Sequence, residues 1–449
     1  MTSIKFINHA SVIISNDKIS LLSDPWYFGT AFHDGWSLIY ENKEEDITNI
    51  ISEITHIWIS HEHPDHFSIQ FFKKYASNLR ERKIKILFQE TKDKRVIKYL
   101  TSQGLEVEEL TNNKIYSLSN NFKIKCVKSG FYDSALLLEI ENMKIFNLND
   151  CPIHEKKDIK KFRKKYGTCD VLLTQFSYAA WKGGKENLDW RQQAAKEKID
   201  TVFNQAQILS ARTVLPFASY VRFSNTLNSY LNDSINTPDL IMKKIKQDNF
   251  KLFFLRPMEK QFLKKIIQDP QSLKFWREKY NSIKNQTLIS YKQDNSIEQL
   301  QKLYQDYRKR IFENNSFWLI WCVSKLRLFG SFQKVNILIK ELKVTFCINL
   351  LSKNLDITEK EPHIMMDAQS LKFIFLNSFG FDTLTVNGCF EEIKKDGFLK
   401  VSKVLAIENL NNLGIFMTLS IIFRVDLFFL FLTLLSKVSK KLKKNTNLD

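Results

Sequence analysis

Three of the eight histidines in this chain fall within six residues, His61-Glu62-His63-Pro64-Asp65-His66. Imidazole nitrogen and carboxylate oxygen are donors for zinc, iron or manganese. Leaving an extended segment, side chains two apart point the same way, so His61 and His63 are expected to hold one metal. Asp65 and His66, one turn further on, are expected to face a second metal close by. Asp65 is also placed to accept a hydrogen bond from metal-bound water and orient it, which makes it the candidate catalytic residue. Coordination lowers the pKa of water from about 15.7 toward about 7, giving hydroxide at neutral pH. Such a hydroxide attacks a carbonyl or phosphorus centre, so an ester, lactone, amide or phosphodiester suits the chemistry. Surface histidines rarely cluster so tightly, and the spacing argues against chance.

The motif needs a rigid support. Residues 55–60 read as a buried strand through Ile57, Trp58 and Ile59, delivering the chain directly into His61. Upstream, residues 3–7, 11–14 and 19–23 read as strands, the last running into Asp24-Pro25. Downstream, strands are expected at 83–88, 121–127, 135–140, 144–148, 171–174 and 213–217, with helices at 69–79, 94–102 and 190–207. The strand at 144–148 stops at the polar Asn149-Asp150-Cys151. Strands feeding helices on both sides imply an α/β sandwich.

With these pieces in place, the sequence resembles the metallo-β-lactamase superfamily. His9-Ala10-Ser11-Val12, the stretch from Asp24-Pro25-Trp26 to Gly35-Trp36, and Asn149-Asp150-Cys151 resemble one branch of it. That branch holds the ascorbate-6-phosphate lactonases and the catalytic part of CMP-N-acetylneuraminate hydroxylase. The resemblance covers about the first 240 residues and implies an αββα sandwich with two divalent metal ions. It assigns His61 and His63 to the first ion, Asp65 and His66 to the second, and Asp150 to a bridging carboxylate. Asn-Asp also ends many strands as an ordinary turn.

The sequence departs from the family at two ligand positions. Where a third histidine is expected, Gly130-Phe131-Tyr132-Asp133-Ser134-Ala135 has none; Asp133 is the strong ligand there, and it also reads as a turn aspartate. The last family histidine falls near Asn225, a weak ligand. His9, His33 and His154 are further nitrogen donors, each of which also reads as a plain core or surface histidine. Zinc is the first expectation, and the richer carboxylate content raises iron and manganese. Tyr132, Arg222 and Asn225 are candidate substrate-binding residues, with Tyr178, Trp181 and Lys182 in neighbouring loops.

The resemblance implies two reactions. A metallohydrolase is the leading reading. The alternative is an iron-dependent hydroxylase of a nucleotide sugar or glycan, although the paired Cys-x-His and Cys-x-x-His motifs of a Rieske module are absent. A non-catalytic scaffold on the same fold is the third reading.

The remaining expectations come from composition. With 67 Lys and Arg against 49 Asp and Glu, the chain carries a net charge of +18, which attracts anions. No nucleic-acid reader module is recognisable, so specific nucleic-acid binding is not expected. The start lacks a basic region followed by an apolar run, and the six cysteines are scattered, which suggests a reducing cytoplasmic setting. Domain 1–245 is expected to be catalytic, 246–316 a helical connector, and 317–412 a smaller α+β domain with strands at 371–376 and 383–386. Residues 363–391 faintly resemble a sterol-carrier-like domain. Segment 413–449 combines an apolar run of roughly 21 residues, the length of a membrane span, with a Lys-rich end. Arg424 and Asp426 interrupt the run. A packed helix, an interfacial anchor giving peripheral membrane contact, and a span are the three readings.

Overall fold

The computed structural model describes residues 1–245, 249–420 and 424. Met1–Ser290 together with Val386–Gly388 forms one compact unit. Tyr291–Thr385 and the described residues from Cys389 onward form a second.

The first unit is built on two seven-stranded sheets. Sheet one runs Lys260–Phe262, Ser3–Asn8, Ser11–Ser15, Ser20–Ser23, His56–Ile59, Lys85–Gln89, Val107–Leu110. Period-two alternation decides which side of this sheet each residue serves. Phe6, Val12, Ile14, Leu21, Trp58 and Leu87 enter the core shared with the second sheet. Their neighbours Ile7, Ile13, Leu22, Ile57, Ile59, Ile86 and Phe88 turn outward instead. There they pack under the helices Glu44–Glu53 and Ile69–Glu81, through Ile47, Ile50, Phe71, Phe72 and Leu79. Each such side chain, fully buried, stabilises the fold by about 1.5–3 kcal/mol.

Sheet two runs Lys251–Leu252, Thr213–Phe217, Val171–Gln175, Met143–Asn149, Asp133–Ile140, Phe122–Ser129, Ile115–Ser119. Helices Lys156–Tyr166 and Leu188–Ile208 accompany it, and their Ile159, Phe162, Val202 and Ala206 join the main core. The layers are therefore α, β, β, α, as expected. A small third sheet pairs Val221–Phe223 with Trp36–Leu38 and Thr30–Ala31.

The connector expected at 246–316 is divided between the units. Lys260–Phe262 extends sheet one beside Ser3–Asn8. Trp276, on the helix Pro270–Asn281, is fully buried and stacks on Tyr220 with ring centroids 4.0 Å apart. Helix Ile297–Asn314 instead belongs to the second unit, where Tyr307 packs on Phe375 at 5.1 Å. Its Arg310 also pairs with the buried Glu408 at 2.6 Å.

That second unit is α+β, with a five-stranded sheet ordered Asp356–Ile357, Val344–Ile348, Val335–Ile339, Ile364–Met366, Glu391–Glu392. The strands expected at 371–376 and 383–386 are corrected to the helices Ala368–Leu376 and Gly380–Asn387. The mostly apolar run at 371–376 has little period to separate a buried strand from a buried helix, and the strand-like alternation of Thr383-Leu384-Thr385-Val386 is overridden by packing, with Leu384 buried on a helix. Gly380 belongs to this packing, since a Cβ there would lie 2.5 Å from Ile374 Cα. Residues 421–423 and 425–449, which hold most of the expected apolar run and all of the Lys-rich end, lie outside the described residues. No helix among the described residues is long and apolar enough to cross a membrane.

Candidate metal centre

Strand ends from both sheets meet at one edge. In sheet one, Ser20–Ser23 and His56–Ile59 are parallel neighbours, so Asp24 and Ser60 emerge side by side. Asp24 Oδ1 accepts the Ser60 amide at 2.7 Å and Oδ2 accepts the Ser60 hydroxyl at 2.8 Å. Ser60 Oγ also lies 2.9 Å from His61 Nδ1, which leaves His61 Nε2 facing inward. Asp24 Oδ2 holds His66 Nδ1 at 3.0 Å and selects its Nε2 in the same way. His9 occupies the hairpin between Ser3–Asn8 and Ser11–Ser15, at a positive φ of 27°. Its carbonyl accepts the Ala218 amide at 2.7 Å, which ties this hairpin to the end of a sheet-two strand. Sheet two contributes Asp133, which opens its strand after the turn at Gly130, and Asp150, which follows Asn149 at φ 53°.

Two donor groups result, each with its ligand atoms within 4.8 Å of one another: His61, His63, Asp133 and Asp150, and then His9, Asp65 and His66. Asp150 Oδ2 stands 3.8 Å from His61 Nε2 and 3.6 Å from His66 Nε2, so it reaches toward both. Asp65 Oδ2 is shared by His9 Nε2 and His66 Nε2, each at 3.2 Å.

No family model matches the sequence. Among curated proteins, the chain is similar to cytidine monophosphate-N-acetylneuraminic acid hydroxylase of Pongo pygmaeus. It is 26% identical over 293 residues, covering 60% of this chain and 48% of that protein. The Sus scrofa hydroxylase is 25% identical over 288 residues, covering 59% of this chain and 63% of that protein. The chain thus spans about half the length of the curated relatives it matches first. Among solved structures, the diiron β-hydroxylase CmlA from Streptomyces venezuelae aligns with a TM-score of 0.41 and 12% identity. That alignment covers 58% of this chain and 54% of CmlA. The chain has an α, β, β, α sandwich fold, and its sequence is similar to the CMP-N-acetylneuraminic acid hydroxylases.

Metal ions fit the residues that this centre brings together. Asp65 Oδ1 and Asp150 Oδ1 are buried and make no hydrogen bond. Buried carboxylates left in this state are costly unless a cation joins them. Burial lowers the pKa of His61 and of His63, which keeps both rings neutral and ready to ligate. For His66 burial also works downward, but the carboxylates of Asp65, Asp150 and Asp24 outweigh it and hold the ring well above its usual value. Burial alone would raise Asp65, yet His66 and His9 hold it well below the carboxylate range. Burial and the neighbouring Asp150 charge push Asp133 up to about 7. A metal ion would therefore displace protons from His66 and Asp133.

Of the residues picked out from sequence, His61, His63, Asp65, His66, Asp133 and Asp150 all fall in the two donor groups. His9 does too, grouped with Asp65 and His66. Asn225 is corrected: its Oδ1 accepts the Leu227 amide at 3.0 Å, closing a buried turn, and it lies in neither group. His33 and His154 also stand outside both groups. Tyr132 places its ring 6.1 Å from that of His63. Beside the donors opens a cavity of about 310 Å³, bounded by His63, Asp65, Asp150, Phe32, Trp36 and Lys198. Neither Arg222 nor Asn225 lines it. Arg222 is buried on its strand instead, with Nη2 donating to the Thr287 carbonyl at 3.2 Å. Sequence reasoning missed the role of Asp24, although Asp24-Pro25 closes an expected strand and belongs to the stretch that carries the resemblance.

Proposed function

We propose that this chain is a metal-dependent hydrolase acting on an ester, lactone or phosphodiester-type bond of a small molecule. The observation that carries the reading is the pair of buried, hydrogen-bond-free carboxylate oxygens Asp65 Oδ1 and Asp150 Oδ1 within two adjoining donor groups. His61, His63, Asp133 and Asp150 would hold one divalent ion, and His9, Asp65 and His66 a second, with zinc, manganese or iron each compatible with nitrogen and carboxylate donors. Ions bound there supply Lewis acidity, which lowers the pKa of water and stabilises negative charge on the group attacked.

The chain's own residues do the rest. Asp24 and Ser60 orient the rings of His66 and His61. Asp65, flanked by His9 and His66, is the carboxylate positioned to hold and turn a proton-bearing nucleophile. Phe32 and Trp36 narrow the cavity and limit the water in it. Hydrolysis requires nothing beyond these groups and water.

A second reading is favoured by one observation, the 26% identity to hydroxylases of a nucleotide sugar. Hydroxylation would consume oxygen and two electrons per turnover and would need an external reductant. The sequence has one Cys-x-x-His spacing, Cys151-Pro152-Ile153-His154, and no Cys-x-His. Purified full-length protein should be assayed on phosphodiesters, lactones and nucleotide sugars, with and without oxygen and reductant. Turnover that ignores oxygen supports hydrolysis, whereas turnover that requires oxygen and reductant replaces it with hydroxylation. Activity that survives both His63→Ala and Asp65→Ala would reject this centre as its source.

A further inference from the structure

The cavity beside the metal centre holds two inward lysines that the proposed chemistry does not use. Helix Leu188–Ile208 buries Arg191, Ala194, Ala195, Thr201, Val202 and Gln205. Lys198 lies four residues after Ala194 and three before Thr201, on the same face. It therefore turns toward the protein, and its ammonium donates to Gln175 Oε1. Gln175 is itself buried at the end of its strand, with Nε2 donating to the Ala218 carbonyl at 3.4 Å. Lys182 enters the same cavity from the loop before the helix. Neither lysine forms an ion pair among the described residues. Burial draws both ammonium groups down, Lys198 to about 8, against the opposing pull of Asp150 on Lys198 and of Glu197 on Lys182. Both lysines are half-buried, and drawing an ammonium group away from water without a carboxylate partner is costly, whereas the same helix offers solvent-facing positions.

We propose that Lys198 and Lys182 form an anion subsite beside the metal centre, which takes the phosphate or carboxylate group of a small substrate while its reacting bond lies at the metals. The inference rests on the reading that the centre acts on a small molecule. The cavity, about 310 Å³, is at the lower end of small-molecule pockets and holds on the order of ten waters. That suits one sugar-sized group with its charged substituent. Phe32, Trp36 and Tyr178 supply the apolar wall, and Gln175 fixes the ammonium of Lys198.

The test is calorimetric titration of full-length, metal-loaded protein with inorganic phosphate and, separately, with gluconate. Wild type should bind at least one of them. Lys198→Met and Lys182→Met should each weaken that binding tenfold or more, while Lys198→Arg keeps it. Loss confined to phosphate assigns a phosphate group, and loss confined to gluconate assigns a carboxylate. If Lys198→Met does not fold, Lys182→Met, in a loop, gives the result alone. Anion affinity equal to wild type in both methionine variants, or no binding by wild type, overturns the subsite. Metal counted on the same samples separates the two readings. Weakened binding at unchanged metal content isolates the lysines, whereas a wild-type chain that holds no metal after loading yet binds the anion through them defeats the proposed function and leaves the subsite standing.

Discussion

Asp24 Oδ2 lies 3.0 Å from His66 Nδ1, and this contact decides which nitrogen of His66 faces Asp65 and Asp150. The same carboxylate takes the amide and hydroxyl of Ser60, so one buried aspartate sets the orientation of His66 directly and of His61 through Ser60. Partners of this kind tune metal affinity without touching the ion.

Asp24→Asn should therefore leave the fold intact and weaken binding of the ion held by His66 by roughly tenfold to a hundredfold. Competition with a chromophoric chelator measures this. Affinity equal to wild type would mean that the contact plays no part in ligand orientation.

His9 and Asn225 make opposite predictions. His9→Ala should lower bound metal toward one ion per chain, because it removes one of three donors from a group. Asn225→Ala should cost about 1–3 kcal/mol of stability from a broken buried turn and leave metal content unchanged. Elemental analysis of the two variants side by side separates them, and the reverse pattern would restore Asn225 as the ligand.

Metal affinity should rise with pH through neutrality. Asp133 ligates only when ionised, and with its carboxyl pushed up to about 7 it is protonated below that pH in the metal-free protein. Binding then releases a proton below pH 7 and none from this group well above it. Asp133→Asn should flatten the pH dependence of zinc affinity between about pH 6 and 8, while affinity at pH 8 also falls through the lost ligand. A slope unaltered by the substitution would place the titrating group elsewhere.

Trp276→Ala should destabilise the first unit by about 3–5 kcal/mol, as read by urea denaturation. The ring is fully buried against Tyr220, and its Nε1 donates to the Leu255 carbonyl at 2.9 Å. A surface connector would lose almost nothing on the same change.

Much of the first unit was legible because its strands carry strong local signals. The run through Ile57, Trp58 and Ile59 ends directly on the histidines, and the observed strand is His56–Ile59. The helix expected at 190–207 is Leu188–Ile208. What sequence could not show was proximity between strands far apart in the chain. His9 and Asp24 sit 52 and 37 residues before His61, and only the parallel pairing of Ser20–Ser23 with His56–Ile59 and the hairpin turn at His9 bring them in. Lys198 has Lys196, Glu197 and Asp200 around it and reads as a solvated helix face, so its inward turn depends on packing against Gln175. In the second unit, apolar runs such as Leu371-Lys372-Phe373-Ile374 carry too little periodicity to distinguish helix from strand.

The most direct measurement is elemental analysis of full-length protein purified without chelator, reported as metal per chain. Close to two ions of zinc, manganese or iron are expected, falling sharply in His63→Ala and Asp65→Ala. A chain that holds no stoichiometric metal, even after incubation with each of the three, would contradict a metal-dependent enzyme and leave a binding or scaffold protein on this fold.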